Sequence, residues 1–169
     1  HVASFCEEIT LLTTLGSYNT QEEFISSNLN KNINPKYIYK DNSPTILKRR
    51  FLESQLVQKL FEVYEMNDEE LNTDQDKKLC SLLDELIPEH HLVIVVDYGH
   101  GMITPNAINI LNNKSKYLAV NTQANAGNKG INPISRYKKV NYTTFSSHEI
   151  ALEARKRNED IKELIKHIA

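Results

Sequence analysis

The residues best placed to do chemistry are Asp97-Tyr98-Gly99-His100-Gly101, directly after the apolar run Leu92-Val93-Ile94-Val95-Val96. An acid at the end of a buried strand, followed by two glycines, is a ligand-facing arrangement. In open α/β sheets ligands bind beyond the carboxyl ends of the strands, and glycine lets backbone approach a ligand closely. Asp97 could bind a sugar hydroxyl, a cation or a neighbouring backbone amide. The run lacks the Gly-Lys-Ser/Thr of a Walker loop. A second candidate is the polar, amide-rich stretch Asn121 to Gly130, which holds Asn121, Gln123 and Asn125. Its amides could wrap a polar ligand, or it could be a surface loop. The third is Lys48-Arg49-Arg50. On a strand, Lys48 and Arg50 share a face and could hold a phosphate, or they could line a solvated sheet face.

Other residue types offer less. His90, His91, His100, His148 and His167 have no zinc-ligand spacing with a cysteine. Cys6 and Cys80 read as small hydrophobes, not a disulfide framework. No Ser-His-Asp order with a nucleophile elbow is present. The tripeptides Asn113-Lys114-Ser115 and Asn141-Tyr142-Thr143 match a glycosylation sequon but lack a secretory context.

The elements that must position these groups follow from patterning. Glu8 to Thr14 reads as a strand ending in a turn at Gly16. Thr20 with Glu23 reads as a capping box for a helix over 21–29. Tyr37–Lys40 is a short strand and Asp41–Pro44 a turn. Thr45–Leu52 and Lys59–Met66 read as a pair of antiparallel strands. Asn67–Asp76 is polar and aperiodic, a linker leading into a helix. Leu79, Leu82, Leu83 and Leu86 have helical spacing and Pro88 ends the run. Leu92–Val96 is continuously apolar, as strands buried on both faces are. Thr104-Pro105 caps and opens a helix through Leu111. Tyr117–Val120 and Val140–Phe145 are strands. Ser146 or Ser147 with Glu149 starts a helix, and another covers 158–167. The expected fold is therefore α/β: a partial Rossmann-like sheet flanked by helices, with a small antiparallel strand pair.

Composition bounds the partners. Of 169 residues, 40% are hydrophobic and 25% charged, in the range of a globular protein. Lys plus Arg is 20 and Asp plus Glu is 22, which argues against a general nucleic-acid binder. No apolar run is long enough to span a bilayer. The cysteine usage and the lack of a leader point to the cytoplasm. The chain opens at His1 in mid-pattern and stops on a helical pattern at Ile165–Ala169. It reads as the middle of one incomplete domain, 1–169, from a longer protein, with homo-oligomer formation left open.

At these residues the chain resembles the ribokinase-like (PfkB) carbohydrate kinases. The nearest branch is the heptose-phosphate kinase domain of bifunctional ADP-heptose synthesis proteins. The likeness runs over most of the chain. His1–Phe5 and Ile9–Gly16 are similar to an early helix and the strand after it. Pro44-Thr45-Ile46-Leu47-Lys48-Arg49-Arg50 is similar to a Pro-Thr-x-x-Lys-x-Arg strand. Asp97–Gly101 is similar to an Asp-Tyr-Gly-Lys-Gly turn. Arg136-Tyr137 lies where the family has a similar pair. Ser146-Ser147-His148-Glu149 is similar to Asn-x-x-Glu.

The resemblance implies transfer of phosphate from ATP, with Mg2+, to a sugar or sugar phosphate, beside an attached nucleotidylyltransferase domain. It places Lys48 and Arg50 near the sugar phosphate and Asp97 and Gly99 at the cleft floor. Asn121, Gln123 and Asn125 would contact substrate or nucleotide, and Glu149 would organise Mg2+ through water. Four departures stand out: His100 replaces Lys, Ser146 replaces Asn, Asn121-Thr122-Gln123 replaces Asp-Pro-Lys, and no Gly-Ala-Gly-Asp segment occurs. No catalytic base is therefore expected among these residues. The alternative is a kinase-like module without catalysis that binds a ligand or self-associates.

Overall fold

The computed structural model describes residues 1–124, 128, 131–156 and 159–168. They form an α/β chain with parallel and antiparallel sheets. It divides into two compact units, His1–Asn67 and Asp68–Ala169.

In the first unit β1 (Ile9–Tyr18) pairs in parallel with β2 (Ile33–Pro44), and α1 (Glu22–Asn28) connects them. Leu15 and Ile38 are the buried centre of the pair. Three local expectations fail here. Gly16 does not end the strand. It stays in register opposite Lys40, because the backbone of Ser43–Thr45 passes so close that a Cβ would collide with it. The glycine serves a close approach, not a turn. The Thr20–Glu23 capping box does not form. Gln21 sits at the helix start in the left-handed region with φ 53°, and Thr20 Oγ1 accepts only a long bond of 3.5 Å from Glu22 N–H. The Thr20 carbonyl is drawn toward Thr45, whose hydroxyl donates to it at 2.7 Å. Asp41–Pro44 is the bent end of β2, not a separate turn. The bend falls at Asn42, φ 50°, and Ser43 is buried with its hydroxyl donating to Asp41 O at 2.9 Å.

The antiparallel pair is present as expected: β3 (Leu47–Leu52) against β4 (Lys59–Glu65). Its faces separate by alternation. Leu47, Arg49 and Phe51 lie opposite Glu65, Val63 and Phe61, while Lys48 and Arg50 lie opposite Tyr64 and Glu62.

The second unit is a three-stranded parallel sheet in the order β5 (Val93–Asp97), β6 (Leu118–Thr122), β7 (Tyr142–Thr144). Around it are α2 (Thr73–Leu86), α3 (Pro105–Lys114), α4 (Ser147–Ala154) and α5 (Ile161–Ile168). The polar stretch before α2 is docked rather than free. Leu71 is buried and its N–H donates to Gly101 O at 3.1 Å, and Asn72 with Gln75 makes a complete capping box. Asp76 accepts from the Thr104 hydroxyl and, at 2.7 Å, from the Asn106 amide, which ties α2 to the start of α3. The core holds Leu79, Leu83, Ile87, Val95, Ile108, Leu111, Leu118 and Val120. One expectation about β5 is corrected. Val95 and Asp97 are buried, but Ile94 is 47% exposed and Val96 50%. Only one face of β5 is covered among the described residues, so its continuous apolar run does not mean burial on both sides.

Candidate functional site at the carboxyl ends of β5 and β6

Parallel pairing sets Asp97 beside Thr122, so β5 and β6 end level and deliver two loops to one place. Asp97 is 3% exposed. Its carboxylate is occupied by the chain itself. Oδ1 accepts from Gly99 N–H at 2.9 Å and Oδ2 from the Tyr137 hydroxyl at 2.8 Å, with Arg136 Nη1 3.6 Å from Oδ2. The Asp97 carbonyl accepts from Gln123 N–H and the Asn132 amide, both at 2.9 Å. Burial raises the Tyr137 phenol well above its ordinary pKa, and the negative charge of Asp97 adds to the rise. Tyr137 therefore stays a donor at any physiological pH.

The two glycines are required by geometry. Gly99 has φ 67° and Gly101 φ 80°. A Cβ on Gly99 would run into the Asn128 amide, and one on Gly101 into the Glu69 carbonyl. Asn128 is buried and bridges the two loops, donating to Tyr98 O at 2.6 Å and Gln123 O at 3.0 Å. Arg136 donates to Asn132 Oδ1 at 2.7 Å and to Ile103 O at 3.0 Å.

Glu149 enters from α4. Ser146 caps that helix, and Glu149 completes the capping box by accepting from Ser146 N–H at 2.6 Å. Its other oxygen accepts from Ala124 N–H at 2.9 Å, across the loop after β6. Burial pulls this carboxyl upward, but the bonds from Ser146 and Ala124 outweigh it and hold the group below the usual carboxylate range. Glu149 is thus ionised at neutral pH and staples the β6 loop to α4. Beside it is a cavity of about 210 Å3 walled by Thr122, Asn128, Asn132, Phe145, Glu149 and Arg155, among others. That is below the roughly 300–1,000 Å3 of drug-sized sites and suits a small polar ligand.

Asp97, Gly99, Gln123 and Glu149 therefore belong to one connected loop cluster. Asn121 lies at its margin, where its amide donates to Thr144 O at 2.8 Å and to Thr144 Oγ1 at 3.1 Å. Asn125 lies outside the described residues. Lys48 and Arg50 are in the first unit, on the polar face of the β3–β4 hairpin. Lys48 Nζ is 5.0 Å from the Tyr64 ring centre and Arg50 Nε is 2.5 Å from Glu62 Oε1. The Arg50 bond, supported by one from Tyr64, lowers the Glu62 pKa to about 2.

Asn128 and Asn132 do the bridging that the sequence reading assigned to no single residue. Asn128 falls inside the amide-rich stretch, which was the available signal. Nothing in the spacing marks Asn132. Among the described residues no group of three or more His, Cys, Asp or Glu side chains is placed to hold a metal. No helix among them is long and apolar enough to cross a membrane. No protein-family model matches the chain, and no curated protein matches it.

Proposed function

We propose that this chain is part of a cytoplasmic carbohydrate-kinase domain whose ligand, a sugar or sugar phosphate, sits at the carboxyl ends of β5 and β6. One observation carries the reading. The Asp97-Tyr98-Gly99 turn and the Glu149 capping box, from separate crossovers, are bound into one cluster beside a small polar cavity. Open parallel sheets bind ligands at this position. The resemblance to the heptose-phosphate kinases extends the proposal to ATP as phosphate donor and to an attached nucleotidylyltransferase domain in a longer protein.

Magnesium does not fit these residues as a directly held ion. Glu149 already accepts two backbone N–H groups, and although Glu153 lines the same cavity, no group of three or more His, Cys, Asp or Glu side chains among the described residues is placed to hold a metal. Its part is limited to contact through water. A second reading is favoured by the same bonds. Both oxygens of Asp97 and both of Glu149 serve the fold, which suits a binding module that does not itself catalyse.

Incubating the full-length protein with labelled ATP and a panel of sugars and sugar phosphates tests the proposal. The kinase reading expects transfer to at least one sugar, with Glu149→Gln lowering turnover more than sugar affinity. Sugar binding without transfer would select the binding module. Neither binding nor transfer, from folded protein, would remove both.

A further inference from the structure

The cavity beside the loop cluster is lined by two charged side chains that the fold itself does not use. Glu149 is spent, with both oxygens bonded to backbone N–H groups. Glu153, in the last turn of α4, and Arg155, which ends that helix, line the same cavity. Among the described residues neither side chain forms a hydrogen bond or an ion pair. Residues two apart on a continuous helix point away from each other. Arg155 instead lies past the last helical residue, in the left-handed region with φ 53°, and shares the cavity with Glu153. Glycine would hold that conformation without strain, so an arginine there carries a local cost. Thr122 and Ser135 also line the cavity, and neither hydroxyl is hydrogen-bonded among the described residues.

These groups constrain the ligand. A purely anionic molecule would meet the acids Glu149 and Glu153, and a purely cationic one would meet Arg155. Like charges brought together in a partly enclosed site repel strongly. A ligand with one group of each sign suits both side chains. The arginine fork matches a phosphate through two parallel bonds. Free hydroxyls on the wall suit the hydroxyls of a sugar, since each can donate and accept. At about 210 Å3 the cavity is too small for a drug-sized ligand such as a nucleotide and suits a single sugar ring. We propose that the cavity takes an amino sugar phosphate, with Arg155 on the phosphate, Glu153 on the ammonium group, and Thr122 and Ser135 on ring hydroxyls. This rests on the sugar-phosphate reading above and adds the amine to it.

Titration calorimetry of the full-length protein reads the preference. The probes are glucosamine, mannosamine and galactosamine 6-phosphates, each paired with the 6-phosphate of its neutral parent hexose. In at least one pair the amino member should bind about tenfold tighter or more, the effect of one charge-assisted hydrogen bond. Glu153→Gln should bring that pair level and leave the neutral parent bound no more weakly than before. Arg155→Gly should weaken both members at least about tenfold. Its urea midpoint should not fall, because glycine relieves the left-handed strain, and this separates a lost contact from a lost fold. A neutral parent that binds as tightly as its amino partner in every pair overturns the proposal and leaves the sugar-phosphate reading standing. A preference that survives Glu153→Gln, or an affinity untouched by Arg155→Gly, also overturns it. No binding of any probe to the folded protein removes this proposal and the sugar-phosphate reading together.

Discussion

The hairpin of the first unit and the loop cluster of the second use charge in opposite ways. On the hairpin, Arg50 and Glu62 meet at 2.5 Å, but Arg50 keeps 64% of its side chain exposed. In the cluster, Asp97 is almost wholly buried, and apart from the local bond from Gly99 N–H its side-chain and carbonyl contacts join segments distant in sequence: Tyr137, Arg136, Asn132 and Gln123. Exposed pairs add little because water and salt compete for both partners. A buried carboxylate with one donor removed leaves an uncompensated group. The shorter contact is therefore the less consequential one, and burial decides which acid the fold depends on.

Substitutions on the two sides sharpen the contrast. Asp97→Ala should cost the most, about 3–5 kcal/mol in denaturant unfolding, because it strands Tyr137, Arg136 and Gly99 N–H together. Tyr137→Phe removes one donor to that buried charge and should cost about 2 kcal/mol. Val57, in the hairpin loop, has φ 53°, which is strained for a residue branched at Cβ, and it is exposed. Val57→Gly should stabilise by about 1 kcal/mol, seen as a higher urea midpoint at unchanged slope. Arg50→Ala should leave the midpoint indistinguishable from wild type at physiological salt.

Acid sharpens the comparison further. The Glu62 pKa is lowered from 4.5 to about 2 in the folded chain, so whatever it contributes is present above the unfolded value and lost as pH falls from about 4.5 toward 2. Raising the salt concentration should shrink that acid dependence, since Arg50 is exposed. An Arg50→Ala effect as large as that of Tyr137→Phe would break the comparison.

The sequence made some of this visible and hid the rest for physical reasons. The β3–β4 alternation, the Thr104-Pro105 cap and the Ser146–Glu149 box are local patterns, and each is found where its spacing puts it. Gly16 misled because close approach and turning both demand glycine, and only the three-dimensional path of Ser43–Thr45 tells them apart. The Thr20–Glu23 box lost to a contact with Thr45 that is 25 residues away. Val96 looked buried because an apolar run records composition, not what covers each face. At the candidate site, Asp97, Gly99 and Glu149 were legible from the strand-end acid, the paired glycines and the capping box. Asn132 was not, because it bonds Asp97 across 35 residues and no local pattern encodes that contact.

The central claim is that a small polar ligand binds where the β5 and β6 loops meet α4. Backbone amide chemical shifts, followed while the protein is titrated with sugar phosphates and then ATP, test it most directly. The account predicts saturable shifts concentrated at Gly99, Gln123, Ala124 and Ser146, whose N–H groups define the cluster. Saturable shifts confined to the β3–β4 hairpin, or none across the panel, would contradict it.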